Sequence, residues 1–200
     1  MDEIKGNFIQ ELLAKPIEIV VSGWILDRIP HAFENNRSSF IEWKHGLSEK
    51  INVDPSSIVI TGSAALGISL NPYKNYRAFN KKSDIDVAVI SDYHFNESWR
   101  YLRNLGSGIH RFNEPIKQSI KDHVSKYIYW GTIATDKILP LLPFGKKWGD
   151  ALELMAKTEP TIGRTINVRI YKDFESLRSY QVNNLKSLRS QELERGINNV

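Results

Sequence analysis

The 200-residue chain contains no cysteine. That removes disulfide bridges, thiolate zinc sites and cysteine nucleophiles together. Its histidines, His31, His45, His94, His110 and His123, are scattered without ligand spacing, so a zinc site is not expected. No apolar run approaches the length of a membrane span, and residues 1–30 lack the basic start and apolar block of a secretion signal. The expectation is a cytoplasmic protein with no membrane partner. Gly106-Ser107-Gly108 lacks the Walker pattern and reads as a loop. No nucleophile turn supports a Ser-His-Asp set, and neither repeats nor low-complexity tracts divide the chain.

What is present suits one globular domain: 41% hydrophobic and 25% charged residues. The net charge of +4 is mild. Between Arg100 and Lys147 nine basic residues face three acids, Glu114, Asp122 and Asp136. A solvated helix face accounts for that excess somewhat better than a nucleic-acid surface.

Periodicity places the elements. Residues 7–15 read as a helix stopped by Pro16, and residues 17–28 as helix by a narrow margin over strand. Phe40, Trp43, Leu47 and Ile51 recur every three or four residues, the signature of a helix with one buried face. Further helices are expected from Asn96, from Asn113-Glu114-Pro115, over 133–139 and over 146–157. The aromatic residues Tyr127, Tyr129, Trp130 and Trp148 read as core. Strict alternation over 165–171 predicts a last strand with Asn167 and Arg169 on one face. Asp173 then caps a terminal helix with an apolar stripe of Phe174, Leu177, Leu185 and Leu188, and the tail 198–200 is expected to fray.

One stretch carries chemistry. Ile58 to Thr61 favours a strand, runs into Gly62-Ser63, and continues as Ala64-Ala65-Leu66: strand, tight turn, helix start. Such a turn lets an anion approach the backbone, with the Ser63 hydroxyl and the new helix supplying donors. Downstream, Asp84 and Asp86 are two apart at the head of an apolar run, so strand geometry puts both carboxylates on one face and Ile85 on the other. A hard divalent cation such as magnesium would relieve their repulsion and bridge to substrate phosphates.

Taken in this order, the two halves resemble the polymerase β-like nucleotidyltransferase superfamily, in its minimal or bacterial defence-type branch. The resemblance implies an α+β fold, a mixed β-sheet with flanking and inserted helices. It divides the chain into N-terminal helices (1–57), the motif core (58–91), a helical insert (92–160), and the last strand with the C-terminal helix (161–200). It implies that Gly62, Ser63 and Ser83 bind the nucleotide and that Asp84 and Asp86 are catalytic and hold two Mg2+ ions, with an NTP as substrate. The segment between the motif halves, 71–82, is longer than in the smallest members, and its Tyr73, Tyr76, Arg77, Lys81 and Lys82 are close enough in sequence to touch a base or phosphate.

The family's third carboxylate lies on the strand beside the Asp-x-Asp strand. Here Asn167, or Arg169, stands at that place, and Asp173 is the nearest acid downstream. Asparagine can offer an oxygen to a metal but cannot take a proton at neutral pH; arginine would replace a cation. Three readings follow. One is a metal-dependent enzyme moving a nucleoside monophosphate from an NTP to a protein, RNA or small hydroxyl acceptor, in bacterial defence or a toxin-antitoxin system. The second is a degenerate nucleotide- or nucleic-acid-binding subunit that regulates or assembles with a partner protein. The third, an interaction domain with purely structural acids, ranks last, because unpaired acids on a buried strand are costly.

Overall fold

The computed structural model describes residues 2–71 and 74–197. Eight helices lie in this part of the chain: α1 Asp2–Ala14, α2 Ile17–Val21, α3 Arg37–Ile51, α4 Gly62–Leu66, α5 Asp92–Leu105, α6 Glu114–Asp122, α7 Gly145–Met155 and α8 Phe174–Ile197. Four strands, β1 Ile58–Thr61, β2 Ile85–Ile90, β3 Thr132–Ala134 and β4 Ile166–Tyr171, form one mixed sheet in the order β1-β2-β4-β3. β2 and β4 run parallel at its centre, and β1 and β3 are antiparallel edges. The fold is α+β.

The sheet has two unlike faces because its strands alternate. Ile58, Ile60, Ile85, Val87, Val89, Ile133, Ile166, Val168 and Ile170 are buried in the main hydrophobic core. The other face carries Thr61, Asp86, Ala88, Asn167, Arg169 and Tyr171. Over part of it lies α8, where Leu177 packs with Ala88 and Tyr171. Two arginines fasten α8 to the N-terminal helices: Arg189 Nε donates to the Leu12 carbonyl at 2.6 Å, and Arg178 Nη1 donates to Ser22 Oγ at 2.7 Å.

On the main-core side, α3 meets α7 through a relay. Trp43 Nε1 donates to Thr161 Oγ1 at 2.9 Å, and that hydroxyl donates to the Met155 carbonyl at 2.6 Å. After α2 the backbone widens into a π-type turn over Ser22–Leu26, closed by Asp27 N–H donating to the Ser22 carbonyl at 2.8 Å. The helical reading of residues 17–28 therefore holds as far as Leu26.

Several local expectations differ from the structure. Residues 133–139 do not form a helix: Thr132–Ala134 is an edge strand, followed by a 3-10 turn at Leu139–Leu141. The β-branched residues decide it, since Thr132 Oγ1 donates to the Ile170 carbonyl at 2.9 Å and Thr135 Oγ1 to the Val168 carbonyl at 2.6 Å, pinning the segment along β4. Helix α5 starts at Asp92 and not Asn96, because Ser91 caps it by accepting from His94 N–H. Of the aromatics assigned to the core, Trp148 is fully buried whereas Tyr129 is exposed. Phe174, assigned to the α8 stripe, is also exposed. Tyr73 and the tail 198–200 lie outside the described residues.

Two buried histidines brace the layers in their neutral form. His94 packs 4.8 Å, centroid to centroid, from both Phe144 and Trp148, and its Nδ1 is 2.9 Å from Ser91 Oγ. His123 Nδ1 donates to the Ser119 carbonyl at 2.6 Å, and its Nε2 accepts from Ala134 N–H at 3.0 Å, a bond that ties β3 to the turn after α6. Burial, then the Lys147 charge, lowers the His94 pKa to about 4, and burial also lowers that of His123. The unfolded chain takes up these protons near pH 6.5 and the folded chain refuses them, so stability is full above pH 6.5 and falls as the pH drops toward 4. Thermal unfolding at pH 7 and pH 5 should show a loss of about 1–2 kcal/mol from His94, by that linkage. His94→Phe should flatten the acid slope.

Candidate active site

The site starts at the end of β1. Thr61 is the register partner of Asp86 on β2, and the chain turns at the next residue, Gly62, with φ +61°. A Cβ built on Gly62 would fall 2.3 Å from Asp86 Oδ2, closer than any side chain tolerates. Glycine is required here twice: for the left-handed backbone, and for the space that the carboxylate fills. Ser63 follows on the first turn of α4, which ends at Gly67 with φ +86°. The glycine bend and the second acid of Asp84-Ile85-Asp86 are therefore in contact.

On the other side of Asp86 lies Asn167, its register partner on β4. The Asn167 amide donates to the Asp86 carboxylate. Arg169 is one step further along the same face, between Ala88 and Ala134. Burial raises the Asp86 pKa, and the charges of Asp84 and Asp136 push it the same way; the Asn167 bond and Arg169 oppose them.

These side chains line an open cavity of about 680 Å³ between the sheet face, the turn after β1 and α8. Its lining brings together Gly62, Ser63, Asp86, Asn167 and Arg169 from the sequence motif. From α8 come Gln181, Asn184, Ser187 and Gln191, uncharged polar groups at helical spacing on one face. The volume is in the range of small-molecule sites.

Other candidates stand outside the cavity lining, Asp84 among them although its charge reaches Asp86. Strand pairing begins at Ile85, whose N–H donates to the Thr165 carbonyl at 2.9 Å, so Asp84 precedes β2, is exposed and does not line the cavity. Ser83 is buried with its Oγ accepting from Asn80 N–H at 3.0 Å, and it too is outside the lining. Asp173 caps α8, accepting from Ser176 N–H at 2.7 Å and from the Ser176 hydroxyl at 2.6 Å, which lowers its pKa. Between the motif halves, Tyr76 is buried while Arg77, Lys81 and Lys82 are exposed away from the lining. Arg164 holds the end of this segment, with Nη1 donating to the Asn80 carbonyl at 2.6 Å and the Ser83 carbonyl at 2.9 Å.

Three charged lining residues are not among the site candidates that the sequence offers: Lys74, Lys126 and Asp136. Asp136 follows the Thr135 anchor on β4 and arrives beside the Asn167 end of that strand. Its only signal in the sequence was being one of three acids in a basic stretch. Lys126 is one of the nine bases there, and Lys74 lies between Tyr73 and Tyr76 in the sequence.

The donors suit a hard divalent ion in kind. Asp86 has carboxylate oxygens and Asn167 one amide oxygen beside the N–H2 that donates to Asp86, and the negative potential at Asp86 is the kind such an ion neutralises. Among the described residues no three His, Cys, Asp or Glu side chains converge closely enough to hold a metal by themselves. An ion held here by Asp86 and the Asn167 oxygen would complete its shell with water or substrate oxygen.

No protein-family model, curated protein or solved structure gives a significant match to this chain.

The contact at the bend is directly testable. Gly62→Ala should destabilise the protein by about 1–3 kcal/mol through the positive φ and the clash. Adding Asp86→Ala should restore part of that loss, leaving the backbone share. Strict additivity of the two changes in thermal unfolding would contradict the packing described.

Proposed function

We propose that the chain is a nucleotide-binding protein of the nucleotidyltransferase type, using Mg2+ and an NTP to transfer a nucleoside monophosphate to a hydroxyl acceptor on a protein, an RNA or a small molecule. The observation that carries this reading is the contact of the Asp86 carboxylate with the Gly62 bend at the wall of a nucleotide-sized cavity. The bend admits a phosphate close to the backbone, and the carboxylate stands where a cation bound to that phosphate would sit.

In this reading the Gly62-Ser63 turn receives the phosphates, with Lys74 and Lys126 adding positive charge. Asp86 and the Asn167 amide oxygen would hold the metal. When bound, the ion supplies charge neutralisation on the phosphate oxygens. The acceptor oxygen bonds to the α-phosphorus, the bond from that phosphorus to the bridging oxygen breaks, and pyrophosphate leaves. Asp136 is the cavity carboxylate assigned to take the acceptor's proton, a role Asn167 cannot fill. A role in bacterial defence or a toxin-antitoxin system, with a partner protein or nucleic acid, is part of the same proposal.

A second reading, a degenerate nucleotide-binding subunit, is favoured by Asn167 at the register position beside Asp86. One pair of measurements separates them. Magnesium with ATP, GTP, CTP or UTP should raise the unfolding temperature of the wild type and not of Asp86→Ala. Labelled NTP incubated with cell extract should label an acceptor and release pyrophosphate. Asp136→Asn should keep the thermal shift and lose at least tenfold in release, the low end expected for loss of a general base. Release that survives Asp86→Ala would end the catalytic reading, and no shift with any triphosphate would end both.

A further inference from the structure

Arg169 is a cation that forms no ion pair among the described residues. It projects from β4 between Ala88 on β2 and Ala134 on β3, two small neighbours that leave space above the sheet. Its Nη1 donates to the Tyr180 hydroxyl at 2.5 Å. The guanidinium carbon is 5.1 Å from the Tyr180 ring centroid and 5.2 Å from that of Tyr127. Among the described residues no carboxylate pairs with it within 4.0 Å. A guanidinium is charged at neutral pH.

The aromatic clamp orients the group without neutralising it. Cation–π contact and the hydroxyls of Tyr180 and Tyr171 fix the plane of the guanidinium, and its remaining N–H groups have no carboxylate partner within 4.0 Å among the described residues. Keeping such a charge at a cavity wall costs stability unless an anion arrives. The same cavity holds the Gly62-Ser63 bend, Lys74 and Lys126. A planar fork at a fixed site suits the paired oxygens of a phosphate.

We propose that Arg169, held by Tyr180 and Tyr127, is a built-in cation for a phosphate of the nucleotide's polyphosphate chain, giving the cavity a hold on that chain that does not need metal. This deepens the nucleotide reading and rests on it. No carboxylate pairs with the guanidinium within 4.0 Å among the described residues, and the ligand supplies an anion at that distance. Asp86 opposes this hold when no metal is present, because its carboxylate faces the same cavity.

The test is binding of inorganic triphosphate, ATP and AMP to the full chain, by calorimetry and thermal shift, with EDTA and with Mg2+. The wild type should bind triphosphate and ATP in EDTA. Arg169→Met should weaken that binding at least tenfold, Arg169→Lys should lose less, and Asp86→Asn should strengthen it. Without ligand, Arg169→Met should unfold no lower than the wild type, since it removes an unpaired charge and keeps the stem; a drop of several degrees would mark the clamp as structural and overturn the proposal. Wild-type binding that appears only with Mg2+, or unchanged affinity in Arg169→Met, overturns it while leaving the nucleotide reading intact. Loss confined to AMP assigns Arg169 to a monophosphate and overturns the polyphosphate assignment. Absence of binding under both conditions overturns the nucleotide reading as well.

Discussion

One packing constraint organises the site: the space a side chain at Gly62 would need is occupied by the Asp86 carboxylate. The antiparallel pairing of β1 with β2 sets Thr61 against Asp86, so the chain has to turn at the carboxylate. Only a residue without Cβ, and free to take positive φ, turns there. The same contact guards the register. A slip by one residue would turn Asp86 into the main core and an isoleucine or valine toward the cavity.

Around that contact the cavity mixes charge. Asp86 and Asp136 stand against Lys74, Lys126 and Arg169. Burial and like charge make the ionised form of Asp86 unfavourable and the Arg169 charge opposes them, while no carboxylate pairs with Arg169 within 4.0 Å among the described residues. A cleft of this kind holds potentials of both signs a short way apart, which suits a ligand carrying negative oxygens together with a cation. The α8 row from Gln181 to Gln191 closes it with groups that donate and accept without adding charge.

Much of the fold was legible locally. The three- and four-residue spacing of Phe40, Trp43, Leu47 and Ile51 gave α3, and the alternation from Ile166 to Ile170 gave β4. A short apolar segment such as 133–139 has no decisive period, and pairing with β4 makes Thr132–Ala134 a strand where the sequence predicts a helix. Exposure of Phe174 and Tyr129 was equally invisible, since it depends on what fails to pack above them. Of the two paired acids, spacing alone could not reveal that only Asp86 enters the pairing, because the start of β2 is set by Thr165, the residue just ahead of β4.

Sequence by itself determined the strand-turn-helix at Gly62 and the placing of Asp86, Asn167 and Arg169 on the non-core faces of their strands. These follow from short-range backbone preferences and from a two-residue period. The tertiary structure alone decided that Asp136, Lys74 and Lys126 would line the same cavity, and that Tyr180 and Tyr127 would clamp Arg169. Those meetings join segments far apart in the chain through strand pairing and the docking of α8. No local pattern encodes which distant side chains then share a space.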